Sequence, residues 1–118
     1  YLKPGKKRIH KMSNPKKNTL VIIAAYNEER NIGGIVNEVK KENPALDILV
    51  VDDGSDDDTS KKAMENGAKA LNLFCNLGYG AALQTGFKYA LKKGYDFIIQ
   101  LDADGQHDPI YIKDLLNI

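Results

Sequence analysis

Four short apolar runs alternate with amphipathic stretches from Thr19 onward, and no other feature of the 118 residues restricts the fold as much. The runs are Thr19–Ala25, Leu46–Val51, Ala68–Phe74 and Phe97–Leu101. The clearest of them are too continuously apolar to leave one face in water, so the strands are expected to be buried on both faces. Between them, apolar residues recur at helical spacing: Ile32, Ile35, Val36 and Val39 in the first stretch, Leu83, Phe87, Ala90 and Leu91 in the third. Asn27 is expected to cap the first helix and Asn43-Pro44 to end it. Asp57 or Asp58 suits the cap of a short second helix from about Thr59 to Asn66, with Gly67 at its C′ position. Gly94 closes the third helix, Tyr79–Lys93, and Pro109 can open a last one reaching Leu116. The resulting βαβαβαβα order predicts an α/β fold, a three-layer sandwich around a mostly parallel sheet.

The length suits one domain. A composition of 42% hydrophobic and 28% charged residues argues against disorder over most of it. No stretch approaches the ~18 apolar residues of a membrane span, and the basic start is not followed by the apolar region of a signal peptide. The expected location is therefore cytoplasmic or at a membrane periphery. A single cysteine, Cys75, excludes an internal disulfide and a cysteine-based zinc site. The net charge of +1 conceals an asymmetry. Residues 1–17 carry seven Lys/Arg and no acid, whereas the rest carries ten Lys/Arg against sixteen Asp/Glu. Residues 1–18 read as a flexible basic arm, and 19–118 as the folded part. The arm is a solvated tail or an electrostatic contact for anionic lipid or nucleic acid. The acidic body argues against a nucleic-acid-binding domain.

Ligands of open parallel sheets bind beyond the carboxyl ends of the strands. That rule selects Ala25–Glu28, Asp52–Asp58, Cys75–Gly80 and Asp102–Asp108. In the last, Asp102 and Asp104 lie at i and i+2 and face one way in extended backbone. Two such carboxylates suit a hard cation, Mg²⁺ or Mn²⁺, and Gln106 continues the series with a neutral oxygen. A solvated acidic turn is the alternative. Asp53, an acceptor only, suits an N–H on a base or ribose hydroxyls, while Asp57 and Asp58 read as caps. Tyr26 can stack on a nucleobase or serve as a core aromatic. Gly78 and Gly80 allow close backbone approach, as in a phosphate loop or a plain tight turn. His107, beside Asp108, reads as a hydrogen-bonding group more than a catalytic one.

The strings Ala24-Ala25-Tyr26-Asn27-Glu28-Glu29, Val50–Thr59, Asn76–Leu83 and Gln100–Pro109 resemble, in order and context, the motifs of family-2 inverting glycosyltransferases of the GT-A, Rossmann-like fold. The version here looks most like the dolichyl-phosphate mannosyltransferase and polyprenyl-phosphate glycosyltransferase branch. The resemblance implies that Ala24, Tyr26, Glu28, Val51 and Asp53 hold the nucleoside. It implies that Asp102, Ala103 and Asp104 hold the diphosphate, with Asp102, Asp104 and Gln106 on the metal. Ala24 departs from a common proline, implying a less rigid pocket edge. The expected activity is transfer of a hexose from a UDP- or GDP-sugar to an acceptor that can be a polyprenyl phosphate, with inversion and with Mg²⁺ or Mn²⁺.

The family's catalytic domain continues past the D-x-D segment into an acceptor-binding half that these residues lack. The chain is therefore expected to bind donor without completing transfer, and any general base lies beyond Ile118. An apolar sheet edge left open after the fourth strand is expected to allow self-association. The other class is a non-catalytic nucleotide-sugar-binding or assembly module. A phosphoryl-accepting receiver domain fits less well, because nothing after the fourth strand matches its pattern.

Overall fold

In a computed structural model of the chain, residues 18–103 and the backbone of 111–114 are described. The elements are β1 (Thr19–Ala25), α1 (Ile32–Glu42), β2 (Asp47–Asp52), α2 (Thr59–Glu65), β3 (Lys69–Asn72), α3 (Tyr79–Lys93), β4 (Phe97–Asp102) and β5 (Tyr111–Asp114). The sheet order is β3-β2-β1-β4-β5. β1 pairs in parallel with both β2 and β4, and β2 with β3. The expected α/β sandwich with a mostly parallel sheet is present.

All seven residues of β1 are buried, because helices cover both of its faces. Val21, Ile23 and Ala25 join Ile32, Val36 and Val39 of α1 and Ala63 of α2 in one apolar cluster. Leu20, Ile22 and Ala24 join Ala82 and Ala90 of α3 in the other. The period of two along the strand thus feeds two cores. α3 turns Ala82, Gly86 and Ala90 inward, a stripe of small residues at i, i+4 and i+8. Leu83 and Phe87 flank the stripe, partly buried. Leu91, expected on the packed face, is exposed, since it lies one position round the helix from the inward-facing Ala90. A Cβ on Gly86 would lie 2.7 Å from Cγ2 of Ile22.

The expected last helix is corrected over Tyr111–Asp114, which form a strand antiparallel to β4, with Ile99 opposite Ile112 and Gln100 opposite Tyr111. The unpaired N–H and C=O groups along β4 supply a template, and Tyr111 and Ile112 favour strand geometry. The edge of β4, expected to stand open, is covered by β5. Pro109 and Leu116 lie outside the described residues.

Hydrogen bonds tie the loops at the carboxyl ends to one another. Asn27 does not cap α1, which starts at Ile32 after Asn31. With φ at 53°, a left-handed conformation that Asn tolerates, it reaches across to the β2–α2 loop. Its N–H donates to Ser55 Oγ (2.8 Å), and its Oδ1 accepts from Asp56 N–H (2.9 Å). Glu28 N–H donates to Thr59 Oγ1 at 2.9 Å. Asp57, rather than Asp58, makes the capping bond at α2, accepting from the N–H (3.0 Å) and the hydroxyl of Thr59. It also accepts from Glu29 N–H at 3.3 Å. Burial raises the Asp57 pKa, but these hydrogen bonds outweigh it and hold the carboxyl below its usual value. Gly67, with φ at 102°, closes α2 as expected.

Two measurements check this packing. Gly86→Ala should destabilise by about 1–3 kcal/mol through overpacking on Ile22. Gly34→Ala, on α1 with open space around it, should instead stabilise by about 0.5–1 kcal/mol. Chemical denaturation of both variants tests the contrast. Asp57→Asn should lower the unfolding temperature at pH 7. A depressed folded-state pKa stabilises above the unfolded value and is lost as pH falls through the folded one. The gap between variant and wild type should therefore shrink below about pH 4, when scanned by circular dichroism.

Candidate functional site

The chain steps outward from β1 to β2 and β3, then returns through α3 to β4 on the other side of β1. This reversal of strand order opens a crevice at the carboxyl ends of β1 and β4, where open α/β sheets take their ligands. A cleft of about 580 Å³ lies there, walled by Ala24, Tyr26 and Glu28 after β1, by Gln100, Asp102 and Ala103 at β4, and by Tyr79 of α3. A cavity of about 200 Å³ adjoins it and reaches Asp53, Asn76 and Gly78. The two share Ala24, Tyr26 and Tyr79.

The adjacent acids after β2 have different tasks. Asp52, the last residue of β2, accepts from Ser55 N–H (2.9 Å) and from the Ser60 hydroxyl (2.6 Å). It fixes the β2–α2 loop. Asp53 lines the smaller cavity although only 4% of its surface is exposed. Its Oδ1 accepts from Leu77 N–H at 2.8 Å and its Oδ2 from Gly78 N–H at 2.9 Å. A carboxylate oxygen has more than one acceptor position, so Asp53 can still receive a ligand's N–H or O–H while holding the β3–α3 loop. Gly54 makes that approach possible: its φ is 79°, and a Cβ there would lie 2.4 Å from the Cys75 carbonyl carbon.

At β4, period two places Gln100 and Asp102 on the face toward α3. Asp102 Oδ1 accepts from the Tyr79 hydroxyl at 2.7 Å, and that hydroxyl accepts from Gln100 Nε2 at 2.9 Å. The N-cap residue of α3, Gly78, has no side chain to cap with, its N–H goes to Asp53, and no acid occupies the first turn, which leaves the positive end of the helix dipole suited to an anion. Among the described residues no three His, Cys, Asp or Glu converge on one point. A cation in the cleft would take Asp102 from this wall, and a carboxylate donor suits Mg²⁺ or Mn²⁺.

Of the residues singled out in the sequence, Ala24, Tyr26, Glu28, Asp53, Asp102 and Ala103 meet around these two spaces. Val51 does not: it is fully enclosed in the core facing α3 and lines neither. Asp104, Gln106 and His107 lie outside the described residues. Tyr79 and Gln100 were not identified from sequence as site residues. The available signal was a lone amide in an apolar strand, two residues before Asp102, and an aromatic between two glycines.

The sequence profile of Glycosyl transferase family 2 matches residues 20–118. Polyprenol monophosphomannose synthase of Mycolicibacterium smegmatis is 39% identical over 109 residues, covering 87% of this chain and 41% of that protein. Undecaprenyl-phosphate mannosyltransferase of Micrococcus luteus is 34% identical over 102 residues, covering 82% and 42%. The chain thus spans about two-fifths of the length of these curated relatives. Among solved structures, glucosyl-3-phosphoglycerate synthase of Mycobacterium tuberculosis, in complex with Mn²⁺, UDP and glucosyl-3-phosphoglycerate, superposes with a TM-score of 0.67 at 22% identity. That match covers 91% of this chain and 42% of the other. Mannosyl-3-phosphoglycerate synthase of Rubrobacter xylanophilus gives a TM-score of 0.66 at 22% identity, covering 86% and 35%. These structures share the fold, and on the family match over residues 20–118 the chain belongs to glycosyl transferase family 2.

Proposed function

We propose that these residues hold the donor of an inverting hexosyltransferase, a UDP- or GDP-sugar, for transfer to a polyprenyl phosphate. The observation that carries this reading is the pair of adjoining spaces, sharing Ala24, Tyr26 and Tyr79, of which one reaches Asp53 just after β2 and the other Asp102 at the end of β4. Asp53 accepts hydrogen bonds from the nucleoside, and Tyr26 stacks on it. The diphosphate runs toward Asp102 and past the N-terminus of α3. Asp102, with Asp104 and Gln106, holds a divalent cation, which when bound stabilises the negative charge on the departing diphosphate.

The names of the two relatives support polyprenyl phosphate as acceptor. Its phosphate oxygen is already anionic, so attack at the anomeric carbon needs no strong general base. Glucosyl-3-phosphoglycerate synthase, which shares the fold, was solved with UDP and Mn²⁺ or Mg²⁺, in keeping with a nucleoside diphosphate and a divalent cation in this reading. No helix among the described residues is long and apolar enough to cross a membrane.

Calorimetry tests the two ends of the site separately. Mn²⁺ or Mg²⁺ should strengthen UDP or GDP binding, and Asp104→Asn should remove most of that gain. Equal, metal-independent affinities in wild type and variant would overturn the cation assignment. Asp53→Ala should weaken nucleotide and free nucleoside alike, by roughly tenfold to a hundredfold, the cost of a hydrogen bond to a charged group. An unchanged nucleoside affinity with a lost metal effect would move Asp53 to the other end of the site.

A further inference from the structure

We propose that Tyr79 is a positioning residue that presets the Asp102 carboxylate for a cation and links it, through the β3–α3 loop, to Asp53. The proposal rests on the donor-site reading above. A phenol has one proton to give, an amide NH₂ only donates and a carboxylate only accepts. Because Gln100 Nε2 donates to the Tyr79 oxygen at 2.9 Å, the Tyr79 proton is directed at Asp102 Oδ1, 2.7 Å away. Gln100 is itself held in the sheet, opposite Ile22 of β1. The chain of donors therefore runs one way, from a fixed strand residue to the carboxylate.

The same loop holds the other acid. Leu77 and Gly78 donate their N–H groups to the two oxygens of Asp53. Three consecutive residues, 77 to 79, thus bridge the ends of β2 and β4 across β1, a span of roughly 10 Å at two strand spacings. A shift of this loop that follows nucleoside binding at Asp53 reaches Asp102 through one hydroxyl. Groups that orient a metal-binding side chain typically change metal affinity by 10–100-fold when removed. The alternative for a half-exposed Tyr79 is a ring that stacks on the ligand. Tyr79→Phe separates the two, since it removes the hydroxyl and keeps the ring.

The experiment measures Mn²⁺ binding to the chain with UDP or GDP, by the paramagnetic resonance of free Mn²⁺. Alongside it run the affinity of the metal-free nucleoside and the unfolding temperature. Tyr79→Phe is expected to raise the Mn²⁺ dissociation constant about tenfold, with nucleoside affinity and unfolding temperature unmoved. In an Asp102→Asn background the same substitution is expected to change nothing further, because Tyr79 acts through that carboxylate. A Tyr79→Phe protein that binds Mn²⁺ within twofold of wild type overturns the proposal and leaves the donor-site reading standing. So does one that loses nucleoside affinity as much as Mn²⁺ affinity. Additive losses in the double variant also overturn it. A wild type whose nucleotide binding ignores Mn²⁺ overturns both.

Discussion

β1 is enclosed on four sides, and the position of everything else follows from that. β2 and β4 bond to its two edges, and apolar clusters press on its two faces. A strand so placed can present nothing to solvent along its length. Its first free atoms come after Ala25, where Tyr26 emerges half-exposed beside the carboxyl end of β4. Full burial of an Ile or Leu side chain contributes about 1.5–3 kcal/mol. The strand that creates the crevice is therefore also among the most stabilising in the chain, and the site inherits a rigid floor.

Above that floor, acidic side chains are divided between building the loops and facing the cleft. Asp52 and Asp57 are committed to the loops, accepting from Ser55, Ser60, Thr59 and Glu29. Asp53 does both, since its two oxygens hold the β3–α3 loop while it lines the smaller cavity. Gly54 allows the backbone to come this close, and Gly78 takes a positive φ of 105° that other residues rarely adopt. Asp102 faces the larger cleft directly. A run such as Asp52-Asp53-Gly54-Ser55-Asp56-Asp57-Asp58 thus encodes scaffold and site within a few residues of each other.

The strands were legible because burial on two faces leaves a run such as Thr19–Ala25 no other use. Its bounds coincide with those of β1. What escaped was decided by residues far apart in sequence. Asn27 has the composition of a helix cap, but its partners are Ser55 and Asp56, on another loop. Tyr111 and Ile112 follow a proline that suits a helix start, yet the vacant edge of β4 outweighs that local signal. Tyr79 meets Gln100 and Asp102, 21 and 23 residues further on, only because α3 returns the chain across β1. Motif spacing located the acids, whereas the groups that orient them became visible only with the topology.

The charge arrangement also distinguishes the two ends of the proposed donor site. Asp53 is almost wholly buried, and its negative charge is met by two N–H groups within hydrogen-bonding distance. Its repulsion toward an incoming diphosphate is correspondingly damped. Asp102 stands at the wall of the larger cleft with a phenol and an amide behind it, neither of which carries a positive charge. An anionic ligand reaching that wall meets a carboxylate whose orientation these two dipoles set. On the proposed reading the cation serves the Asp102 end, where the diphosphate would lie, and the nucleoside end can bind without it. An acidic body can take a doubly anionic ligand on these terms, with one acid buried at the nucleoside end and the proposed metal-binding acid at the open side.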